Sequence, residues 1–383
     1  MSILRLITRY IGTGNSGRVK MLSQLLAVAA LFLLCACTFK RNQAQNQQDS
    51  VRVENGITFK LADFPLYIDP VYNGSSDPMV CYNTQTGKWY MYYTSRRLNV
   101  TGIKNIEQIH GSPIGIAEST DGGATWSYIG DCNIDYKPDP EPTYWAPEIF
   151  EYNGLYHMYL SYVPGIFDNW NHPRDIVHLT SKDGINWTTE SVLDLGVQKV
   201  IDAGIFRLSD GIWRMWYKNE KEQKDIIWYA DSRDLYNWEV KGAVPLGGIS
   251  GEGPNVIYWH DKYFLFVDEW KGISVYSSDD ATSWKKQDEY LIAGIPLETD
   301  ADSLSQDTSN RRPRYVDGSR GNHADIEVAG DHAYMFYFAN LPASMNKRGL
   351  AVYVQELIYN PDGTVSCDPT AKCYINLNAY RKD

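Results

Sequence analysis

Four carboxylates stand out by their surroundings: Asp77 in Ser76-Asp77-Pro78, Glu148 in Trp145-Ala146-Pro147-Glu148, Asp202 after Ile201, and Glu252 in Gly251-Glu252-Gly253-Pro254. A fifth segment, Gly321-Asn322-His323-Ala324-Asp325, carries His323 and Asp325 at the matching place. Each group opens or adjoins a short apolar stretch. If the fold brings these openings together, the carboxylates repel and their proton affinities separate. One acid then keeps its proton while another is ionised. Cleavage of a glycosidic bond needs that division, with one carboxyl protonating the leaving oxygen and another activating water.

Plainer roles exist for each residue. Asp77 before Pro78 is also a turn opener. Glu148 suits a structural or substrate-binding role better than a catalytic one, because acids in a cluster often only orient others. Asp202 and Asp325 are also readable as strand-end acids, and His323 as a hydrogen-bonded core histidine. Glycines on both sides of Glu252 permit close backbone approach. Arg311, Arg312 and Arg314 form a basic cluster that suits either an acidic sugar or a solvated loop.

The elements that must position these groups repeat. Five segments share a turn residue followed by an aromatic-rich strand: Gly87–Tyr93, Gly154–Leu160, Gly211–Tyr217, Asp261–Val267 and Asp331–Tyr337. They recur at intervals of 50 to 70 residues. Each is preceded by one of the acid-bearing strands. The first four are followed by a further strand and a Ser-x-Asp turn ending in Trp126, Trp187, Trp238 or Trp284. Four antiparallel strands repeated five times predict an all-β, five-bladed β-propeller. In that topology the innermost strands converge on the axis. Their starts share a face with the insertions Arg96–Pro113, Pro164–Asp175 and Glu298–Asn322, whereas opposite turns such as Tyr152–Gly154 stay short. An elaborated face predicts a binding surface.

The 383 residues are 43% hydrophobic, which is enough for a large buried core. Aromatics make up 13%, a composition that suits both strands and sugar-stacking surfaces. A net charge of −11 without a basic stripe excludes nucleic-acid binding as the expected function. Near the N-terminus, Arg18 and Lys20 precede an apolar run from Leu22 to Leu34, too short for a comfortable span. The run ends in Leu34-Cys35-Ala36-Cys37, which resembles a bacterial lipoprotein cleavage box, with Cys37 as the lipidated residue. The expected organisation is a signal segment over 1–37, a polar tether over 38–60 and the propeller over 61–383. Export to the bacterial cell envelope follows, with membrane attachment only through the lipid. Cys81, Cys132, Cys367 and Cys373 lack zinc-site spacing and are open to disulfide or thiol states.

Taken in order, the four acid motifs resemble glycoside hydrolase family 43 over roughly residues 65–360. That family comprises five-bladed propellers, among them arabinofuranosidases, arabinanases, xylosidases and galactanases. The resemblance implies an inverting hydrolase acting on plant or algal polysaccharide fragments. It implies Asp77 as general base, Asp202 as the acid that tunes and orients its partner, and Glu252 as general acid. Base and acid would stand roughly 6.5–9.5 Å apart with water between them. It places Trp145 in the site as a stacking platform, Glu148 and Asp325 as further substrate contacts, and His323 near substrate or an axial calcium. No cofactor is required, and any calcium would be structural. Two departures stand out. Ala203-Gly204 follows Asp202 where the family usually has Pro, and the blade-five motif is also similar to family 117, which acts on anhydro-galactose units.

Two other classes compete with this reading. A non-catalytic glycan-binding lipoprotein would keep the propeller and its aromatics but has no need of a paired acid and base. Sialidases share turns like Ser119–Trp126, but they usually need six blades and an arginine triad; five blades and no triad are legible here.

Overall fold

The computed structural model describes residues 50–220, 226–248, 250–293, 320–341, 345 and 347–381. Cys35, Cys37, the basic cluster at Arg311–Arg314 and most of the third insertion lie outside them. The chain divides into a segment ending at Arg52 and a compact unit from Val53 to Asp383.

The compact unit is a five-bladed propeller. Blade I comprises Ser75–Asn83, Lys88–Ser95, Ile114–Ser119 and Ser127–Asp131. Blade II comprises Thr143–Tyr152, Leu155–Val163, Asp175–Ser181 and Asn186–Val192, with Asn133–Ile134 added in parallel on its outer edge. Blade III runs Val200–Arg207, Trp213–Asn219, Ile226–Ser232 and Glu239–Ala243. Blade IV runs Glu252–Trp259, Lys262–Asp268, Ile273–Ser278 and Lys285–Lys286. Blade V runs Asn322–Ala329, His332–Asn340, Leu350–Tyr359 and Val365–Ser366.

Sequence pattern follows position in the blade. The second strand of each blade is sandwiched between neighbouring sheets, so nearly every residue is buried, as over Trp213–Asn219. That is why these segments read as unbroken aromatic runs rather than alternating ones. The outermost strand has one wet face, and Glu239–Ala243 alternates accordingly. Ser-x-Asp turns lead into four of these outer strands. In blade II, Asp183 accepts from the backbone N–H groups of Ile185 and Asn186, both at 2.8 Å, and Trp187 is then buried against blade I.

The hydrophobic core is a ring of inter-blade layers. Trp187 and Ile116 belong to the layer between blades I and II, Met215 and Tyr159 to that between II and III, and Trp216 and Leu265 to that between III and IV. Phe266 with Met335 and Met91 with Phe336 mark the layers from IV to V and from V back to I. Closure is reinforced by the Tyr67–Val352 bridge and by pairing of Ile57–Leu61 with Tyr374–Ile375. All four body cysteines are free thiols.

Candidate active site

Every innermost strand breaks its register near its start. The shifts fall between Ser76 and Met79, Trp145 and Glu148, Ile201 and Gly204, Glu252 and Asn255, and Asn322 and Asp325. In each bulge the second residue has a left-handed backbone: Asp77 (φ 49°), Ala146 (40°), Asp202 (58°), Gly253 (56°) and His323 (38°). Such bulges re-aim side chains, and they recur beside functional sites. Five equivalent bulges surround one axis, and each contributes at least one of its first two residues to a common cavity of about 860 Å³.

The glycine that closes the blade III bulge has a steric reason. A Cβ on Gly204 would sit 1.9 Å from the Pro254 carbonyl oxygen of blade IV. Glycine is required there because the two backbones touch.

Asp77, Asp202, Glu252, His323 and Trp145 all line the cavity. Asp77 is buried and receives Arg96 Nη2 at 3.1 and 3.3 Å and Ser76 Oγ at 3.1 Å. Its Oδ1 lies 3.8 Å from His323 Nδ1. Burial alone would raise the Asp77 pKa, but Arg96, His323, Thr94 and Ser76 together outweigh it and hold the group below its ordinary value. Asp202 is also buried, and no hydrogen bond reaches its carboxylate among the described residues. Burial pushes it up to about 6; His323 and Lys218 oppose the rise, while Glu252 and Asp77 add to it.

Glu252 is bonded by Lys218 Nζ at 2.9 Å, and Lys218 also pairs with Glu220 at 3.0 Å. Burial raises the Glu252 pKa, but Lys218 reverses the balance and lowers it. The proton affinity of His323 is raised: burial works against the charge, and Asp77, Asp202, Glu252 and Asp268 outweigh it. The cavity thus holds neighbouring acids of opposite tendency, Asp77 ionised and Asp202 inclined to keep a proton.

Glu148 and Asp325 are placed differently from the expectation that they contact substrate. Both occupy the fourth bulge position and do not line the cavity. Glu148 Oε1 accepts the Ile205 N–H of blade III at 2.9 Å. Asp325 accepts the Val80 N–H of blade I at 2.8 Å and Asn255 Nδ2 of blade IV at 3.0 Å. They tie blade to blade. Two residues further along a strand, the side chain has passed below the mouth, so the two acid positions are not equivalent. Burial raises both, Asp325 to about 7.

Trp145 donates from Nε1 to the Ile109 carbonyl at 2.6 Å, which fixes its ring on the cavity wall. Trp170, from the blade II insertion, lies 6.5 Å from it and is 56% exposed. Arg96, Lys218 and Trp270 were not singled out from sequence. All lie at or just past the end of a second strand, which returns to the mouth: Lys218 pairs with Ile201, and Arg96 follows the strand opposite Ser76. A cationic or aromatic residue at that repeat position is the signal that would have found them.

Among the described residues no group of three His, Cys, Asp or Glu side chains is arranged to hold a metal ion. Calcium takes six to eight oxygen ligands. His323 offers a nitrogen rather than an oxygen, and Asp77 beside it is already bonded by Arg96, so this pair does not fit a directly bound calcium.

The model of a family related to glycoside hydrolase family 43, described as a probable glycosyl hydrolase domain, matches residues 66–296. No curated protein matches the chain significantly. Among solved structures, a thermostable family-43 glycoside hydrolase is 20% identical, with a TM-score of 0.56, covering 83% of this chain and 100% of that one. A β-xylosidase/α-arabinofuranosidase from a compost microbial metagenome, in complex with xylotriose, is 16% identical, with a TM-score of 0.55, covering 78% and 97%. An exo-1,5-α-L-arabinanase from a bovine ruminal metagenomic library is 16% identical, with a TM-score of 0.54, covering 79% and 99%. At these identities the likeness establishes the fold.

Proposed function

Because the chain belongs to the family-43-related glycosyl hydrolases, we propose that it hydrolyses a glycosidic bond by single displacement, with Asp77 as general base and Glu252 as general acid. The observation that carries this reading is the convergence of Asp77, Asp202 and Glu252 on one cavity, where Asp77 is held below and Asp202 above the ordinary carboxylate range. Asp77, kept ionised by Arg96, takes a proton from water as the water attacks the anomeric carbon. Glu252 gives its proton to the departing oxygen. Glu252 and Asp202 are neighbouring like charges, so they bind a proton as a pair. The Glu252 charge raises proton affinity at Asp202, and Lys218 lowers it at both. Single displacement inverts the anomeric configuration.

The substrate class is a plant or algal oligosaccharide of arabinofuranoside, xyloside or galactoside type. A solved relative holding xylotriose supports an oligosaccharide in this fold. His323 favours a second reading, of the family 117 type, because a histidine 3.8 Å from Asp77, its proton affinity raised by the surrounding carboxylates, is an alternative proton donor.

Leaving-group dependence separates the roles. Asp77→Asn is expected to lose about 10²–10⁴-fold in rate on every substrate. Glu252→Gln is expected to lose as much on unactivated oligosaccharides but to keep turnover of aryl glycosides, whose leaving group needs no proton. If His323→Gln shows that second pattern and Glu252→Gln does not, the acid assignment passes to His323.

We also infer export and lipid attachment at Cys37, supported by the apolar run and the Leu34-Cys35-Ala36-Cys37 sequence. Cys37→Ala is expected to abolish incorporation of labelled fatty acid; unchanged labelling would refute the assignment.

A further inference from the structure

The charge of the cavity runs against that of the chain. The protein carries a net charge of −11. Yet five cationic side chains, Arg96, Arg174, Lys199, Lys218 and Arg320, line the cavity, against the carboxylates Asp77, Asp202, Glu220 and Glu252. Three of the cations are neutralised: Arg96 by Asp77, Arg174 by Glu220 at 3.0 Å, and Lys218 by Glu252 and Glu220. Lys199 and Arg320 have no carboxylate partner among the described residues. Lys199 Nζ donates to Asn171 Oδ1 at 3.0 Å. Arg320 donates through Nε to Asn322 Oδ1 at 3.3 Å, and its outer nitrogens have no partner among the described residues.

The Lys199 wall is built rather than incidental. Lys199 is held at φ 72°, a conformation that costs a non-glycine residue free energy. Its N–H donates to the Arg174 carbonyl at 2.9 Å, and its own carbonyl accepts the Glu220 N–H at 3.0 Å. Arg174 is 2% exposed, and its Nε has no partner. Trp170, on the same wall, accepts Arg174 Nη2 on its carbonyl at 2.6 Å and keeps its ring exposed. A ring to stack on a sugar and an ammonium stand together there, backed by the buried Arg174–Glu220 pair.

We propose that the substrate carries an anionic substituent, a carboxylate or a sulfate ester, received by the unmatched cations Lys199 and Arg320. This rests on the hydrolase reading for its site and adds the charge of the glycan. Neutral sugars need hydrogen-bond partners, but they do not need uncompensated positive charge in a cavity that already sets its catalytic acids.

The test compares three trisaccharides of one linkage: neutral, uronate-bearing and sulfated. The expected result is a kcat/KM at least about 10-fold higher for one anionic form, falling with ionic strength. In the Lys199→Gln/Arg320→Gln double variant, the ratio of anionic to neutral kcat/KM is expected to fall about 10- to 100-fold, the worth of a hydrogen bond to a charged group. Equal or better use of the neutral sugar, or a preference that survives the double variant, overturns the proposal. The two anionic arms distinguish carboxylate from sulfate. If no trisaccharide is cleaved, calorimetric titration of the wild type decides separately. Salt-sensitive binding of an anionic form alone sustains this inference while the hydrolase reading falls, and equal or absent binding of all three sinks it.

Discussion

Asp202 provides a test in which stability and function should move in opposite directions. Its carboxyl titrates at an ordinary 3.8 in the unfolded chain and near 6 in the folded one, chiefly because it is buried. Between those values the folded state holds a proton that the unfolded state has lost. Stability therefore falls as pH rises from about 4 to 6 and stays low above that. The rise from 3.8 to about 6 corresponds to about 3 kcal/mol, at 1.36 kcal/mol for each tenfold change in proton affinity. An asparagine at this position has no such cost. Asparagine also tolerates the φ of 58° that the bulge demands, and no bond to the Asp202 carboxylate is lost among the described residues. Asp202→Asn should therefore be more stable than the wild type by about 1 kcal/mol at pH 4.5 and about 3 kcal/mol at pH 8. Turnover should meanwhile drop sharply, as expected where a functional acid is held at the expense of stability. Urea denaturation at the two pH values, alongside rate measurements, provides both readouts. A variant less stable at pH 8, or a stability gap independent of pH, would refute the account of Asp202 as a strained, functional acid.

Removing the cation that lowers the proton affinity of Glu252, by Lys218→Met, should move the basic limb of the kcat/KM profile to higher pH, because the protonated acid then persists further; a limb that stays in place would detach Lys218 from the acid. Gly253→Ala puts a Cβ 2.8 Å from the His323 ring at a φ of 56°, and should cost about 1–3 kcal/mol of stability together with activity. Gly154→Ala is the control: φ is 78° with open space around it, so it should lose stability alone, by thermal melting, and keep its turnover rate.

How far the site was legible depends on the kind of information each residue carries. Asp77, Asp202, Glu252 and His323 were readable because the repeat puts them at one recurring point, and a closed ring brings recurring points together. Trp145 followed from the same register. Glu148 and Asp325 looked equivalent on the page, yet two residues of strand separate a cavity wall from an inter-blade tie. Only the register shifts and left-handed residues in the bulges make that distinction, and a one-dimensional pattern does not display them.

The linear chain was enough to determine the blade count, the strand order and the face that bears the acids, because aromatic runs and turn residues report burial and reversal locally. Tertiary structure decided the rest: that Arg96 leans on Asp77, that Lys218 bridges Glu252 and Glu220, and that Lys199 and Arg320 are left unmatched among the described residues. These pairings join strand ends distant in sequence. A side chain's proton affinity depends on the charges within a few ångströms of it and on the water it has lost, and neither exists until the blades close around the axis.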